Sequence, residues 1–312
     1  QAALPMTDTL KDAVVKAISE EPANEEHAQL MADVKAKYEE YLASGSETLF
    51  DCPEWHALQT YNGGDKVGKV SLIRTYAENT LDTLEWMQSL GTPVLDKVSQ
   101  GAGALWQRTH QVDAPAGTGL IGPLYDTAQT LGITIVTEMK AEELIVENGA
   151  VTGVTAVTTD GANVTLRANK GVILACGGFE NNLEMQRNFH GMDMVYTTGT
   201  PGNTGDGIEM LMKAGAKIWH MKNQTQSGGF WLGVKVPDYE SAFLRNFYFN
   251  TGGWLEIDST GNRFYDEATY YHKQHMKWKE YGHWTDLPHE RALPVHFICD
   301  EETRLNNTIV TT

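Results

Sequence analysis

The sequence has 312 residues, 41% hydrophobic and 21% charged, enough for one large or two ordinary domains with cores of their own. Its 41 acidic against 24 basic residues leave a formal net charge of -17, which argues against nucleic acid or anionic membrane as a partner because no basic stripe exists to release counterions. No apolar run approaches the roughly 20 residues of a membrane span, and the widely spaced Cys52, Cys176 and Cys299 form neither a zinc pattern nor a disulfide framework.

In chain order, residues 1–62 read as helical and acidic. Within Pro22–Ser46, the apolar residues Leu30, Met31, Val34, Tyr38, Tyr41 and Leu42 recur at helical spacing, and Ser44-Gly45-Ser46 is a stop. Residues 51–68, with Pro53 and Gly63-Gly64, read as irregular. Ser71–Gly91 is the clearest helix: Ser71 as its cap, Leu72, Ile73, Tyr76, Leu84 and Met87 on its apolar face, Gly91 and Pro93 at its end. Gly101–Gly119 reads as a Gly-, Ala- and Pro-rich loop carrying Arg108 and His110.

After Gly119 the pattern changes. Leu120–Leu131 reads as a helix closed by Gly132, and Ile133–Thr137 as a strand. Glu142–Val146 and Val151–Thr158 follow, joined by the hairpin signal Glu147-Asn148-Gly149, and Asp160-Gly161 turns the chain into Val164–Ala168. Val172–Ala175 is a short, wholly apolar run that reads as a buried strand of a parallel sheet and ends in Cys176-Gly177-Gly178. Glycines there let the backbone turn sharply and approach a ligand, and ligands in open α/β sheets sit at the carboxyl ends of strands. Thr198–Gly207 is a second Gly-rich turn, leading into a helix over Ile208–Ala214. Asp206 at that helix start either caps the helix or accepts a hydrogen bond from a ligand hydroxyl. Residues 225–285 are rich in aromatics, suited to an aromatic core or to a wall against a flat apolar substrate. Trp254–Asp258, a turn over Ser259-Thr260-Gly261-Asn262 and then Arg263-Phe264 read as a hairpin, with a helix over Asp266–Tyr281.

Three segments in this order and spacing, VILACGGFENN (Val172–Asn182), PGNTGDGIEMLMKAGA (Pro201–Ala216) and GNRFYDEAT (Gly261–Thr269), resemble the FAD-dependent fumarate reductase and succinate dehydrogenase flavoprotein superfamily. The likeness is strongest to its soluble flavocytochrome-type and urocanate reductase-like branch, and it runs from about Leu72 to Asp300. The resemblance implies an α/β plus α+β fold. Residues 1–205 are expected to form a partial Rossmann-like FAD-binding domain with a β-meander and an N-terminal helical segment. Residues 206–312 are expected to form an inserted α+β capping domain that meets the substrate. The family's opening strand–GxGxxG–helix has no counterpart here, so the chain is expected to be incomplete at both ends.

By the same resemblance, the cofactor is FAD and its contacts are Ala141, Ala175, Cys176, Gly177, Gly178 and Asp206, with Cys176 standing where the family has Thr. Hydride transfer between flavin N5 and an activated C=C bond is the implied reaction. The family's proton-donating Arg aligns with Tyr271, its carboxylate-gripping His with Ser227, so the fumarate clamp is absent and another α,β-unsaturated substrate is expected. Tyr271 with adjacent His272 is the candidate proton donor. Arg245, like Arg108 and Arg263, pairs either with a substrate carboxylate or with surface acids. Ketosteroid dehydrogenation is a second expected chemistry, and a fragment that binds no FAD is the non-enzymatic alternative. An electron-donor protein or module is the expected macromolecular partner.

Overall fold

The structure is a computed structural model, which describes residues 4–64, 66–101, 104–190, 199–219, 221, 233–239, 242–245, 249, 251–263, 277–280, 283–286 and 296–311. The chain divides into two compact units, Gln1–Ile135 and Val136–Thr312.

Capping side chains set the starts of the first three helices. Thr7 and Asn24 precede α1 (Asp8–Ser19) and α2 (Glu25–Ala43), and their side-chain oxygens accept the Leu10 and His27 amides. Residues 51–68, expected to be irregular, instead contain α3 (Pro53–Gly63): Cys52 Sγ accepts the Trp55 amide, and Pro53 sits in the first turn, where a missing N–H costs nothing. Burial pushes the Cys52 thiol up to about 12, so this sulfur is a neutral cap and not a nucleophile. The long helix α4 (Val70–Ser89) is where the sequence places it, but Ser71 lies inside it and Lys69 precedes it without a side-chain cap. It buries Val70 and Ala77, while Leu72 and Tyr76 are exposed.

The expected loop 101–119 contains a strand. β2 (Gln107–Val112) pairs antiparallel with β1 (Val94–Gln100), and α5 (Thr118–Thr130) follows. Trp106, at the entry to β2, closes the core: its indole N–H donates to the Phe50 carbonyl at 2.8 Å and its ring meets Trp55 edge-on at 4.9 Å. Val14, Leu30, Val34, Leu58 and Tyr61 fill the rest of that core. Arg74 and Asp33 tie α4 to α2, and Lys66 reaches Glu20 at 3.2 Å.

The second unit opens with a meander, β3 (Met139–Glu147), β4 (Ala150–Thr158) and β5 (Asn163–Arg167), all antiparallel and in the expected order. Asn148 and Gly149 both adopt positive φ, as a tight hairpin requires. Ile133–Thr137, expected as a strand, has none of its backbone in a ladder. Beyond Asn182 come α6 (Leu183–Met185), a π-helical turn over Gln186–His190 and α7 (Asp206–Lys213). Among the described residues the rest is small pairings. β6 (Gly233–Val234), β7 (Phe243–Arg245) and β12 (Val310–Thr311) form one sheet. β8 (Trp254–Ile257) pairs with β11 (His296–Cys299), and β9 (Lys277–Glu280) with β10 (His283–Asp286). The turn after β8 is real: Asp258 Oδ1 accepts the Thr260 and Asn262 amides. Among the described residues β8 pairs with β11, Phe264 of the expected hairpin lies outside them, and Lys277–Glu280 is extended where a helix was expected. Asp300 starts α8 (Glu301–Asn306), accepting the Thr303 amide at 2.8 Å and the Gly253 amide at 2.6 Å; these bonds hold its carboxyl below the ordinary range. No helix among the described residues is long and apolar enough to cross a membrane.

One buried group makes the first unit sensitive to acid. His27 is 0% exposed and accepts the Ala23 amide through Nδ1 at 3.1 Å. Burial first, then the Lys66 ammonium, pull its pKa below the ordinary value, with Glu20 opposing. The imidazole is therefore neutral when folded and takes up a proton on unfolding. Its contribution is complete above the unfolded pKa of about 6.5 and is lost as pH falls through that value toward the folded one. Thermal melts of wild type are expected to drop between about pH 7.5 and pH 5.5, and His27→Gln should flatten that slope.

Candidate cofactor site

The stretch that carries the strongest motif does not form the strand its composition suggests. Val172–Ala175 runs without a ladder partner among the described residues, and Ile173 is 93% exposed. An apolar run becomes a central strand only when neighbours hydrogen-bond to both of its edges. Ala175, Cys176 and Gly177 are exposed in turn, so this segment presents small side chains and bare backbone.

Two Gly-rich turns lock together beyond it. Gly177 has φ +78° and Gly205 φ +82°, a region that suits glycine. The Gly205 amide donates to the Gly178 carbonyl at 3.0 Å and the Asn181 amide to the Asn203 carbonyl at 2.9 Å. Side chains repeat the tie: Asn181 Nδ2 donates to the Pro201 carbonyl at 2.7 Å, Asn182 Nδ2 to the Thr204 carbonyl at 2.9 Å, and Asn203 Nδ2 to Glu180 Oε1 at 2.9 Å. The fit is close enough that a Cβ on Gly177 would strike the Asn203 side chain, and one on Gly205 would strike Met185. A Cβ on Gly207 would stand 3.2 Å from that of Cys176, so the first turn of α7 rests on the Cys176 turn.

Asp206 is the first residue of α7. Its carboxylate accepts the Thr204 hydroxyl at 3.0 Å and lies 3.5 Å from Lys140 Nζ on β3. Ala141 is the next residue along that strand, paired with Ala156 of β4. Thus Ala141, Cys176, Gly177, Gly178 and Asp206, chosen from sequence over a span of 66 positions (141 to 206), belong to elements that meet within one unit. Lys140, Asn182 and Asn203 were missed. An Asx-rich turn is their only local signal, and a bond between turns some 20 residues apart leaves none.

The exposed Ala175–Gly177 backbone admits a flat group at close range, and a carboxylate at a helix start suits a ligand hydroxyl better than a phosphate. These features fit one wall of an FAD site. Among the described residues no cluster of His, Cys, Asp and Glu could hold a metal ion.

The catalytic candidates are less defined. Tyr271, His272 and Ser227 lie outside the described residues. Arg245 is placed by its backbone on β7, opposite Val310. Arg108 is already engaged, its guanidinium donating to Asp51 at 2.6 and 2.8 Å and to Gln59 at 2.6 Å. It lines a cleft of about 1310 Å³ within the first unit, together with Trp55, His56, Tyr76 and Trp106.

This combination, a β-meander followed by two interlocked Gly-rich turns, defines a flavoprotein-type cofactor domain. A family model described as "FAD binding domain" matches residues 42–286, and the chain belongs to that family, whose cofactor is FAD. An NADH:acrylate oxidoreductase of Vibrio harveyi is 32% identical over 75% of this chain and 24% of its own length. A 3-oxosteroid 1-dehydrogenase of Mycobacterium tuberculosis is 31% identical over 69% of the chain and 39% of the relative. A fumarate reductase (cytochrome) of Shewanella frigidimarina is 27% identical over 86% and 46%. Among solved structures, the open conformation of a flavocytochrome c3 fumarate reductase aligns with TM-score 0.58 and 26% identity over 74% of this chain and 40% of the other. The chain spans less than half the length of each of these relatives. These matches agree with the mixed helix-and-sheet fold expected from sequence.

Alanine scanning of three glycines separates backbone strain from close packing. Gly161 has φ +84° with open space around it, so Gly161→Ala should cost about 1 kcal/mol from backbone strain alone. Gly177→Ala and Gly205→Ala add steric conflict with Asn203, and with Met185 and Phe179. Urea melts should show both losing more stability than Gly161→Ala, and FAD retention should fall in those two variants only.

Proposed function

We propose that this chain is part of an FAD-dependent oxidoreductase that reduces or forms an activated C=C bond in an α,β-unsaturated substrate other than fumarate. The observation that carries this reading is the meeting of the Cys176-Gly177-Gly178 turn with the start of α7 at Asp206. Ala175, Cys176, Gly177 and Gly178 would lie against FAD with their backbone, Ala141 would meet it along β3, and Asp206 would accept from one of its hydroxyls. Bound FAD supplies hydride transfer at N5. Residues 206–312 serve as the cap in this reading.

The chain's own contribution is orientation and a proton. Tyr271 is assigned as proton donor to the substrate carbon next to the hydride acceptor. A phenol with an ordinary pKa near 10 holds its proton at neutral pH, and His272 is assigned to resupply it. Arg245 is assigned to a substrate carboxylate. Such pairing fixes the double bond's direction, as charge-assisted bonds do. The 31% identity to 3-oxosteroid 1-dehydrogenase supports a second reading, in which the bond is formed rather than reduced. An electron-donor protein or module completes the cycle in the first reading.

The polypeptide, expressed with any flanking sequence its gene encodes, is expected to be yellow, with absorption near 450 nm. Reduced methyl viologen should be oxidised anaerobically by acrylate or a related enoate, and more slowly by fumarate. Tyr271→Phe should lower kcat by about 10²–10⁴ while the flavin is retained. A flavin-loaded protein inert toward every enoate, enone and 3-oxosteroid would defeat the proposal, and a colourless one would favour the fragment that binds no FAD.

A further inference from the structure

Asn182 sits where the two Gly-rich turns meet, and its amide has two separate tasks. Oδ1 accepts the Met185 amide at 3.0 Å and so caps the short helical turn α6. Nδ2 donates to the Thr204 carbonyl at 2.9 Å. Thr204 in turn donates its hydroxyl to Asp206 at 3.0 Å, and the neighbouring Gly205 amide bonds the Gly178 carbonyl. One side chain therefore links the end of the first turn to the peptide immediately before Gly205, two residues from the carboxylate assigned to the cofactor.

We propose that Asn182 is a positioning residue for FAD. Through the Thr204 carbonyl it holds the Gly205 peptide and Asp206 in register with the Cys176-Gly177-Gly178 turn. This rests on the FAD reading given above. The geometry explains why the register needs a side chain at all. Gly205, at positive φ, is the residue from which α7 starts and has no side chain to cap that helix or fix its own orientation. Asn181 Nδ2 on the Pro201 carbonyl provides a parallel tie three residues upstream. Neither tie depends on the bulk of the core; both depend on an amide N–H meeting a backbone carbonyl. The two functions of Asn182 separate chemically, because a carboxylate caps a helix as well as an amide does but cannot donate.

Asn182→Asp therefore keeps the cap and replaces the donor with an oxygen facing the Thr204 carbonyl. Two measurements on the full chain test this: fluorescence titration with FAD, and hydrogen exchange of the flavin-free protein. The expected result is a tenfold or larger rise in the FAD dissociation constant and at least tenfold faster exchange over 204–209. Exchange in the β3–β5 meander and the melting temperature should stay at wild-type values. The visible circular dichroism of flavin at saturating FAD should also change, which loss of global stability alone does not produce. Wild-type exchange over 204–209 together with wild-type FAD affinity would overturn the proposal, as would faster exchange spread evenly over the unit. Should Asn182→Asp fail to fold, Asn182→Ser decides, since it keeps a capping oxygen and removes the amide N–H that meets the Thr204 carbonyl: local acceleration over 204–209 supports the proposal, its absence overturns it. If the wild-type chain binds no FAD, the FAD reading fails and the cofactor part of this proposal with it, while the exchange measurement still decides whether Asn182 sets the register.

Discussion

The hydrogen bond from the Gly205 amide to the Gly178 carbonyl organises the surface of the second unit that is proposed to meet the cofactor. Gly177 and Gly205 both take positive φ beside it, and the absence of a Cβ at each lets the two turns approach this closely. The proposed cofactor contacts of the two turns are placed by it. Cys176 comes under the first turn of α7, Asp206 is aimed from the start of that helix, and Lys140 on β3 reaches the same carboxylate at 3.5 Å. The three asparagines around the joint convert a single backbone bond into a set with direction. That is the difference between two loops that touch and two loops that keep a fixed register.

The first unit obeys a different logic. Its core is aromatic and sealed by specific polar contacts: the Trp106 indole on the Phe50 carbonyl, Asn24 on the Tyr61 hydroxyl, Arg74 on Asp33. Cys52 ends the irregular stretch and starts α3 with a sulfur that burial keeps protonated. Arg108 is spent on Asp51 and Gln59, so the first of the arginines considered for a substrate carboxylate has a structural occupation already. Binding a carboxylate there would require breaking a bidentate pair, which weighs against that role.

How much of this could be read from residues depends on the distance over which each feature is decided. The hairpin at Asn148-Gly149, the stops at Gly45 and Gly132 and the helix at Asp206 are settled within a few residues by φ preference and capping, and all were readable. Cys52-Pro53 was misread because a proline and, ten residues on, a Gly63-Gly64 pair look like breakers, whereas in the first turn of a helix proline is a starter. Val172–Ala175 was misread for the opposite reason: its composition is that of a buried strand, yet strand formation is decided by partners elsewhere in the chain. β8 also has a partner that no local signal announces: its turn was evident, but β11 lies some 40 residues on. Of the site, the glycines and Asp206 were visible as motifs. Lys140, Asn182 and Asn203 were not, because their importance is a property of the joint and not of either turn.

Cys176 shows what the joint demands of a residue. It stands where the family it resembles has Thr, and it keeps the small size while giving up a hydroxyl. The constraint at that position comes from Gly207, whose backbone approaches so closely that even a methyl group on it would press on Cys176 at 3.2 Å. A larger side chain at 176 would push α7 away and carry Asp206 with it. A hydroxyl would matter only if something there required a donor, and among the described residues no hydrogen bond of the two turns uses the Cys176 side chain. The substitution is tolerable because the site's contribution at this point is the path of the backbone. For the same reason, the chemical character of the surface is set one residue away on either side, by exposed Ala175 and by the glycine that lets the chain turn.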